Sequence, residues 1–214
     1  MEELYQGLRR YDIDLYLYFT GDDPYKEEEI GVKFGFVEPR QNVTMDFVEK
    51  WSSVLREYSL RYGDKVKGWW LDGMYRQEFG YTQQLLAPYY RAVKEGNPEG
   101  IVSFNDGIKP YFYRYYAEEE YTTGEQNDLS LVPTARFHDG AQAHVLLPIG
   151  AESRGIGSTW AGGGLQFTKE ELAAYAEKVV AVGGVVTFDC KLNRDGSFDE
   201  EQVEALRYVG DRLK

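Results

Sequence analysis

The sequence is poor in the residues that build covalent cross-links and soft-metal sites. Its only cysteine is Cys190 and its only histidines are His138 and His144. A single thiol excludes an intrachain disulfide framework and a cysteine-based zinc site. Basic residues are outnumbered: 24 Lys and Arg stand against 36 Asp and Glu, a formal charge of −12. That balance argues against a nucleic-acid partner, whose phosphates need a basic surface. Long apolar runs are also missing. The longest, Val179 to Phe188, is interrupted by Gly183 and Gly184 and reaches about half a membrane span, so no membrane partner is expected. The first twenty residues open on acids and hold no apolar block before a cleavage site. No signal peptide is read there, and the cytoplasm is the default location.

Other site signatures fail too. There is no GxGxxG or GxxxxGK loop, and Gly162-Gly163-Gly164 reads as a flexible loop. Asn193-Arg194-Asp195-Gly196 falls short of a calcium loop, because Lys191 and Gln202 would take its first and twelfth positions. His138-Asp139 reads as a surface pair, and no serine sits in a nucleophile elbow. The expectation is no metal and no cofactor. Asn42-Val43-Thr44 is a glycosylation sequon by pattern alone.

Aromatic residues are what the chain has in excess, chiefly 18 Tyr and 4 Trp. Amphipathic rings suit the edge of a core; they also suit a cleft that stacks on flat ligands such as sugars.

The pattern alternates strand and helix. Ile13 to Thr20 reads as a strand followed by the turn Gly21-Asp22-Asp23-Pro24. Phe47, Trp51, Val54, Leu55, Tyr58 and Tyr62 follow helical spacing, with Thr44 as cap and Gly63 as stop. Val66 to Asp72 is a strand, Thr82 to Glu95 a helix, and Gly100 to Asn105 a strand. His144 to Ile149 reads as a buried segment weakened by Pro148. Thr168-x-x-Glu171 is a capping box opening a helix that Gly183-Gly184 ends, Val185 to Phe188 is a strand, and Asp199 caps the last helix. Between Gly107 and Ala143 the pattern is irregular, and Glu118-Glu119-Glu120 reads as a solvated face. Strands separated by amphipathic helices imply an α/β fold with parallel strands in one domain over residues 1–214.

Ligands in such folds bind beyond the carboxyl ends of the strands. Asp72 closes the strand that carries Trp69 and Trp70, Asn105 closes the next, and Asp189 lies near the end of the last. Asp72 is placed as a nucleophile or base, or else as the first residue of an Asp-Gly turn. Glu125, in Thr122-Thr123-Gly124-Glu125-Gln126, is a second carboxylate or an ordinary loop acid. Glycoside hydrolysis needs two.

The chain resembles the carboxyl-terminal two-thirds of the catalytic barrel of the α-L-fucosidase family of retaining glycoside hydrolases. The resemblance runs in order over residues 8–213. It is carried by Leu8 to Thr20, by Trp69-Trp70-Leu71-Asp72-Gly73 (the family's "WfDG"), by Asn97 to Asn105, and by Thr122 to Gln126 ("TpEq"). Further on it is carried by Ser158-Thr159-Trp160 ("sWGY") and by Gly183 to Gly196 ("GGnlLLNvgPdpDG"). It implies a partial or shortened (β/α) TIM-type barrel with parallel strands, lacking the family's first one or two strand–helix units and their histidine motifs.

It further implies a double displacement in which Asp72 is the nucleophile and Glu125 the acid/base, about 5–5.5 Å apart, with Trp70, Trp160 and Asn105 at the sugar. The substrate would be a carbohydrate. A barrel short of strands exposes edges that invite a second copy or a companion chain. The same deficit supports an alternative reading, a catalytically inactive barrel-derived module that binds carbohydrate or another chain.

Overall fold

The computed structural model describes residues 1–22, 28–36, 42–153 and 158–214; Asp23 and Pro24 of the expected turn lie outside them. The chain divides into two compact units, Met1–Gly107 with Arg114–Tyr121, and Ile108–Tyr113 with Thr122–Lys214.

The first unit runs α1 (Glu2–Arg9), β1 (Leu15–Thr20), α2 (Glu28–Lys33), α3 (Met45–Tyr62), β2 (Val66–Asp72), α4 (Arg76–Phe79), α5 (Gln83–Gly96) and β3 (Ile101–Phe104). Its sheet is wholly parallel in the order β1-β2-β3. The period of two along β2 sorts its side chains. Trp69 and Leu71 are buried in the core with Val102 and Phe104. Trp70 and Asp72 face the other way and are half-buried. The Thr44 hydroxyl accepts the Phe47 N–H and caps α3, and the Thr82 hydroxyl does the same for Leu85 in α5; each such cap stabilises its helix by about 1 kcal/mol. The buried Ser59 hydroxyl donates to the Val93 carbonyl at 2.8 Å and joins the two helices.

The second unit holds β4 (Phe137–His138), β5 (Ala141–Gln142), β6 (His144–Pro148), α6 (Lys169–Ala181), β7 (Val185–Asp189) and α7 (Glu200–Arg212). β6 and β7 are parallel, from His144 opposite Val185 to Pro148 opposite Asp189. Pro148 is the last residue of β6, a position where its missing N–H interrupts little of the ladder. β4 and β5 form a hairpin whose two loop residues, Asp139 and Gly140, both have positive φ, 50° and 86°, the signature of a type I′ turn. The Thr168–Glu171 capping box is formed in full. Asp199 caps α7 through the Gln202 N–H. Leu172, Ala173 and Ala176 of α6 pack with Ala205 and Val209 of α7 and with Ile149.

Parallel strands and α/β composition are therefore as expected, and no sheet among the described residues closes into a barrel. Two local readings need correction. The glutamate run is not a solvated face: Glu118 is exposed, but Glu119 is 1% exposed and Glu120 is bound by Lys94 at 2.5 Å. The triple-glycine loop is fixed rather than free. The Gly163 and Gly164 N–H groups donate to Glu152 and Asp199, and Gln202 donates to the carbonyls of Gly162 and Gly164 at 2.8 Å each.

Candidate active site

In the first unit, β1, β2 and β3 deliver polar side chains to one end of the sheet. Asp72 ends β2 and receives three hydrogen bonds. Asn105 Nδ2 donates to its Oδ1 at 2.8 Å and Tyr75 Oη to the same oxygen at 3.2 Å, while Tyr18 Oη donates to Oδ2 at 2.7 Å. Bonds from neutral donors to a carboxylate are charge-assisted and fix its orientation. Among the described residues Oδ1 takes two donors and Oδ2 one. The turn that follows requires Gly73: its φ is +67°, and a Cβ there would lie 2.4 Å from Asp22 Oδ1.

Asn105 is fully buried and fixed at every polar group. Its N–H donates to the Leu71 carbonyl, its carbonyl accepts the Met74 N–H, and its Oδ1 accepts the Gly107 N–H. Tyr18 is 60% exposed. Desolvation of its hydroxyl, then the Asp72 charge and hydrogen bond, push its pKa far above the usual phenol value, so it remains a donor. Its ring stacks on Trp70 at 5.8 Å and 22°. The Trp70 Nε1 and its register neighbour Ser103 Oγ are buried with no hydrogen-bond partner among the described residues.

Tyr18 and Tyr75 were missed by sequence reasoning. Tyr75 lies three residues past Asp72. Tyr18 could be found only by knowing the register, which sets Tyr18 opposite Trp70 and Thr20 opposite Asp72.

In the second unit, Thr122 to Gln126 runs beside β6. The Leu146 N–H donates to the Gly124 carbonyl, the Gln126 N–H to the Leu146 carbonyl, and Glu125 bridges Leu146 in parallel. Glycine is needed at 124, where φ is +56° and a Cβ would sit 1.9 Å from the His144 carbonyl oxygen. Glu125 is half-buried. Trp160 is half-buried in the loop after residue 157, and the neighbouring Ala161 N–H donates to Asp189 Oδ2 at 2.5 Å at the end of β7. Burial raises the Asp189 pKa, and that hydrogen bond opposes the rise.

His144, at the start of β6, is buried. Its Nδ1 lies 3.1 Å from the Thr122 and Thr123 carbonyls and its Nε2 2.9 Å from Thr187 Oγ1. Carbonyls accept only, so Nδ1 carries the proton and Nε2 accepts from Thr187. Burial pulls its pKa down to about 4. His144 is a neutral structural brace. Among the described residues no group of acids, histidines and cysteine is arranged to hold a metal ion, and no helix is long and apolar enough to cross a membrane.

Asp72, Asn105 and Trp70 thus belong to the first unit, and Glu125 and Trp160 to the second. A separate hollow of about 180 Å³, lined by residues including Glu2, Leu15 and Lys65, lies at the N-terminal end of β1, the opposite strand end from Asp72.

No family model and no curated relative matches the sequence. Solved structures do match. An endo-fucoidan hydrolase of glycoside hydrolase family 107 aligns with a TM-score of 0.71 at 15% identity, over 97% of this chain and 39% of that one. A bacterial fucosidase bound to an inhibitor aligns at 0.63 and 19%, over 98% and 47%. An α-L-fucosidase of family GH29 from Bacteroides thetaiotaomicron, solved as a trapped covalent intermediate, aligns at 0.63 and 19%, over 98% and 48%. The chain spans less than half the length of these three structures. At such identities the likeness concerns the fold: this chain has a fold shared with fucose-processing glycoside hydrolases.

Proposed function

We propose that the chain is a retaining glycoside hydrolase acting on α-L-fucosides, built on a shortened (β/α) barrel of TIM type. The observation that carries this reading is the environment of Asp72. A carboxylate at the carboxyl end of a parallel strand is held by Asn105, Tyr75 and Tyr18, with a single donor on Oδ2 among the described residues, in a fold shared with fucosidases.

In the first step Asp72 Oδ2 attacks the anomeric carbon, the bond to the leaving oxygen breaks, and Glu125 gives that oxygen its proton. In the second, water attacks the same carbon, Glu125 takes the water proton, and Asp72 leaves as the carboxylate. Asn105 keeps Oδ1 and the plane of the carboxylate fixed, and Tyr18 shares the charge on Oδ2 while Asp72 is a free carboxylate, before the attack and again as it leaves. Trp70 and Trp160 contribute ring faces to the sugar.

The test is hydrolysis of an aryl α-L-fucoside by the purified chain and by Asp72→Ala. Removal of a nucleophile costs on the order of a thousandfold or more. Turnover that survives Asp72→Ala overturns the assignment.

A further inference from the structure

Glu119 is 1% exposed, and the reaction proposed above gives it no task. Its surroundings do. β3 is the last strand of its sheet among the described residues, and the outward N–H groups of such a strand ordinarily lack a neighbour. Here the Val102 N–H donates to Glu120 Oε2 at 2.9 Å and the Phe104 N–H to Glu119 Oε2 at 3.0 Å. The Glu120 N–H returns a bond to the Val102 carbonyl at 3.1 Å. Two carboxyl groups stand where a neighbouring strand would.

The two acids differ in where their second oxygen goes. Glu120 Oε1 accepts from Lys94 at 2.5 Å and from the Tyr90 hydroxyl at 3.2 Å, well away from Asp72 along the chain. Glu119 Oε1 accepts the Tyr115 N–H at 2.5 Å. The Tyr115 hydroxyl donates to the Met74 carbonyl at 2.9 Å, and the Met74 N–H donates to the Asn105 carbonyl at 3.1 Å. Phe104, on the other arm, immediately precedes Asn105, whose amide holds Asp72. Both arms of Glu119 therefore converge on the chain that carries the Asp72–Asn105 contact.

We propose that Glu119 is a positioning residue for Asp72: from between Phe104 and Tyr115 it fixes the end of β3 and the turn after β2, so that Asn105 presents its amide to Asp72. The catalytic consequence rests on Asp72 being the reacting carboxylate; the positioning does not.

The test compares the full chain with Glu119→Gln and Glu120→Gln. Glutamine keeps the volume but turns one acceptor into a donor, so one arm is lost. The readouts are the Asn105 side-chain amide resonances in nitrogen-15-labelled protein, the melting temperature, and kcat and KM on an aryl α-L-fucoside. Glu119→Gln is expected to shift the Asn105 resonances and to lower kcat about tenfold, as displaced reacting groups do, with KM nearly unchanged. Glu120→Gln loses the same kind of edge bond and is expected to lower the melting temperature while leaving kcat and the Asn105 resonances in place. If Glu119→Gln does not fold, Glu119→Asp, which keeps the carboxyl and shortens its reach, is read in the same way. Unmoved Asn105 resonances in the Glu119 variant, or an equal loss of kcat in Glu120→Gln, overturn the proposal. A wild-type chain without turnover refutes the glycosidase reading instead, and the resonance comparison alone then decides the positioning.

Discussion

The Tyr18 hydroxyl donates to Asp72 Oδ2 at 2.7 Å across two parallel strands, and it is the sole donor that the described residues place on that oxygen. A hydrogen bond to a charged group contributes about 1.5–3 kcal/mol. Tyr18→Phe is therefore expected to lower kcat/KM on an aryl α-L-fucoside by about 10- to 100-fold. Melting should fall by no more than several degrees, since the same bond also contributes to the folded state. Unchanged kinetics in a folded Tyr18→Phe protein contradict a role for this bond.

Asn105→Asp replaces the donor on Oδ1, 2.8 Å away, with a second acid. The new carboxylate repels Asp72 and withdraws the amide donor that fixes its plane. Activity on an aryl α-L-fucoside at neutral pH should fall on the order of a hundredfold, because the reacting carboxylate loses its orientation. Activity equal to wild type in a folded Asn105→Asp protein argues that Asn105 does not hold the reacting carboxylate.

Glu125→Gln removes the proposed proton donor. Protonation matters most where the leaving group is poorest. The loss should therefore be much larger for an alkyl α-L-fucoside than for an aryl fucoside with an acidic phenol. Equal losses on the two substrates would place Glu125 outside proton transfer.

His144 links the second unit to pH. Its folded pKa of about 4 lies below the ordinary histidine value of 6.5, so the unfolded chain takes up the proton first as pH falls. The stability contributed by neutral His144 is complete above about pH 6.5 and is lost progressively down to about pH 4. At about 1.4 kcal/mol per pKa unit the loss approaches about 3 kcal/mol. Denaturant melts of wild type and His144→Gln between pH 7 and 4 should converge at the acidic end. A constant difference across that range contradicts the assignment.

The legible parts of the molecule were those decided by near neighbours in sequence. Thr44, the Thr168–Glu171 box and Asp199 cap the helices that their spacing announced, because capping is settled within one turn. Asp72 stood out because it ends an apolar run. Tyr18 did not, since its partner lies 54 residues away and only strand register brings the two together. Glu119 and Glu120 carried the pattern of a solvated charge run, and nothing local announces that β3 will use them as its edge. The hairpin at Asp139-Gly140 has strands of only two residues, too short for alternation to register even though the turn pair is characteristic.

The most direct test of the central claim is covalent trapping. The chain is incubated with 2-fluoro-fucosyl fluoride, digested, and the peptides are weighed by mass spectrometry. A retaining enzyme with Asp72 as nucleophile yields one fluorofucosyl group per chain, on the peptide containing Asp72, and none in Asp72→Ala. An adduct on another carboxylate, or turnover of an aryl α-L-fucoside with no adduct at Asp72, contradicts it.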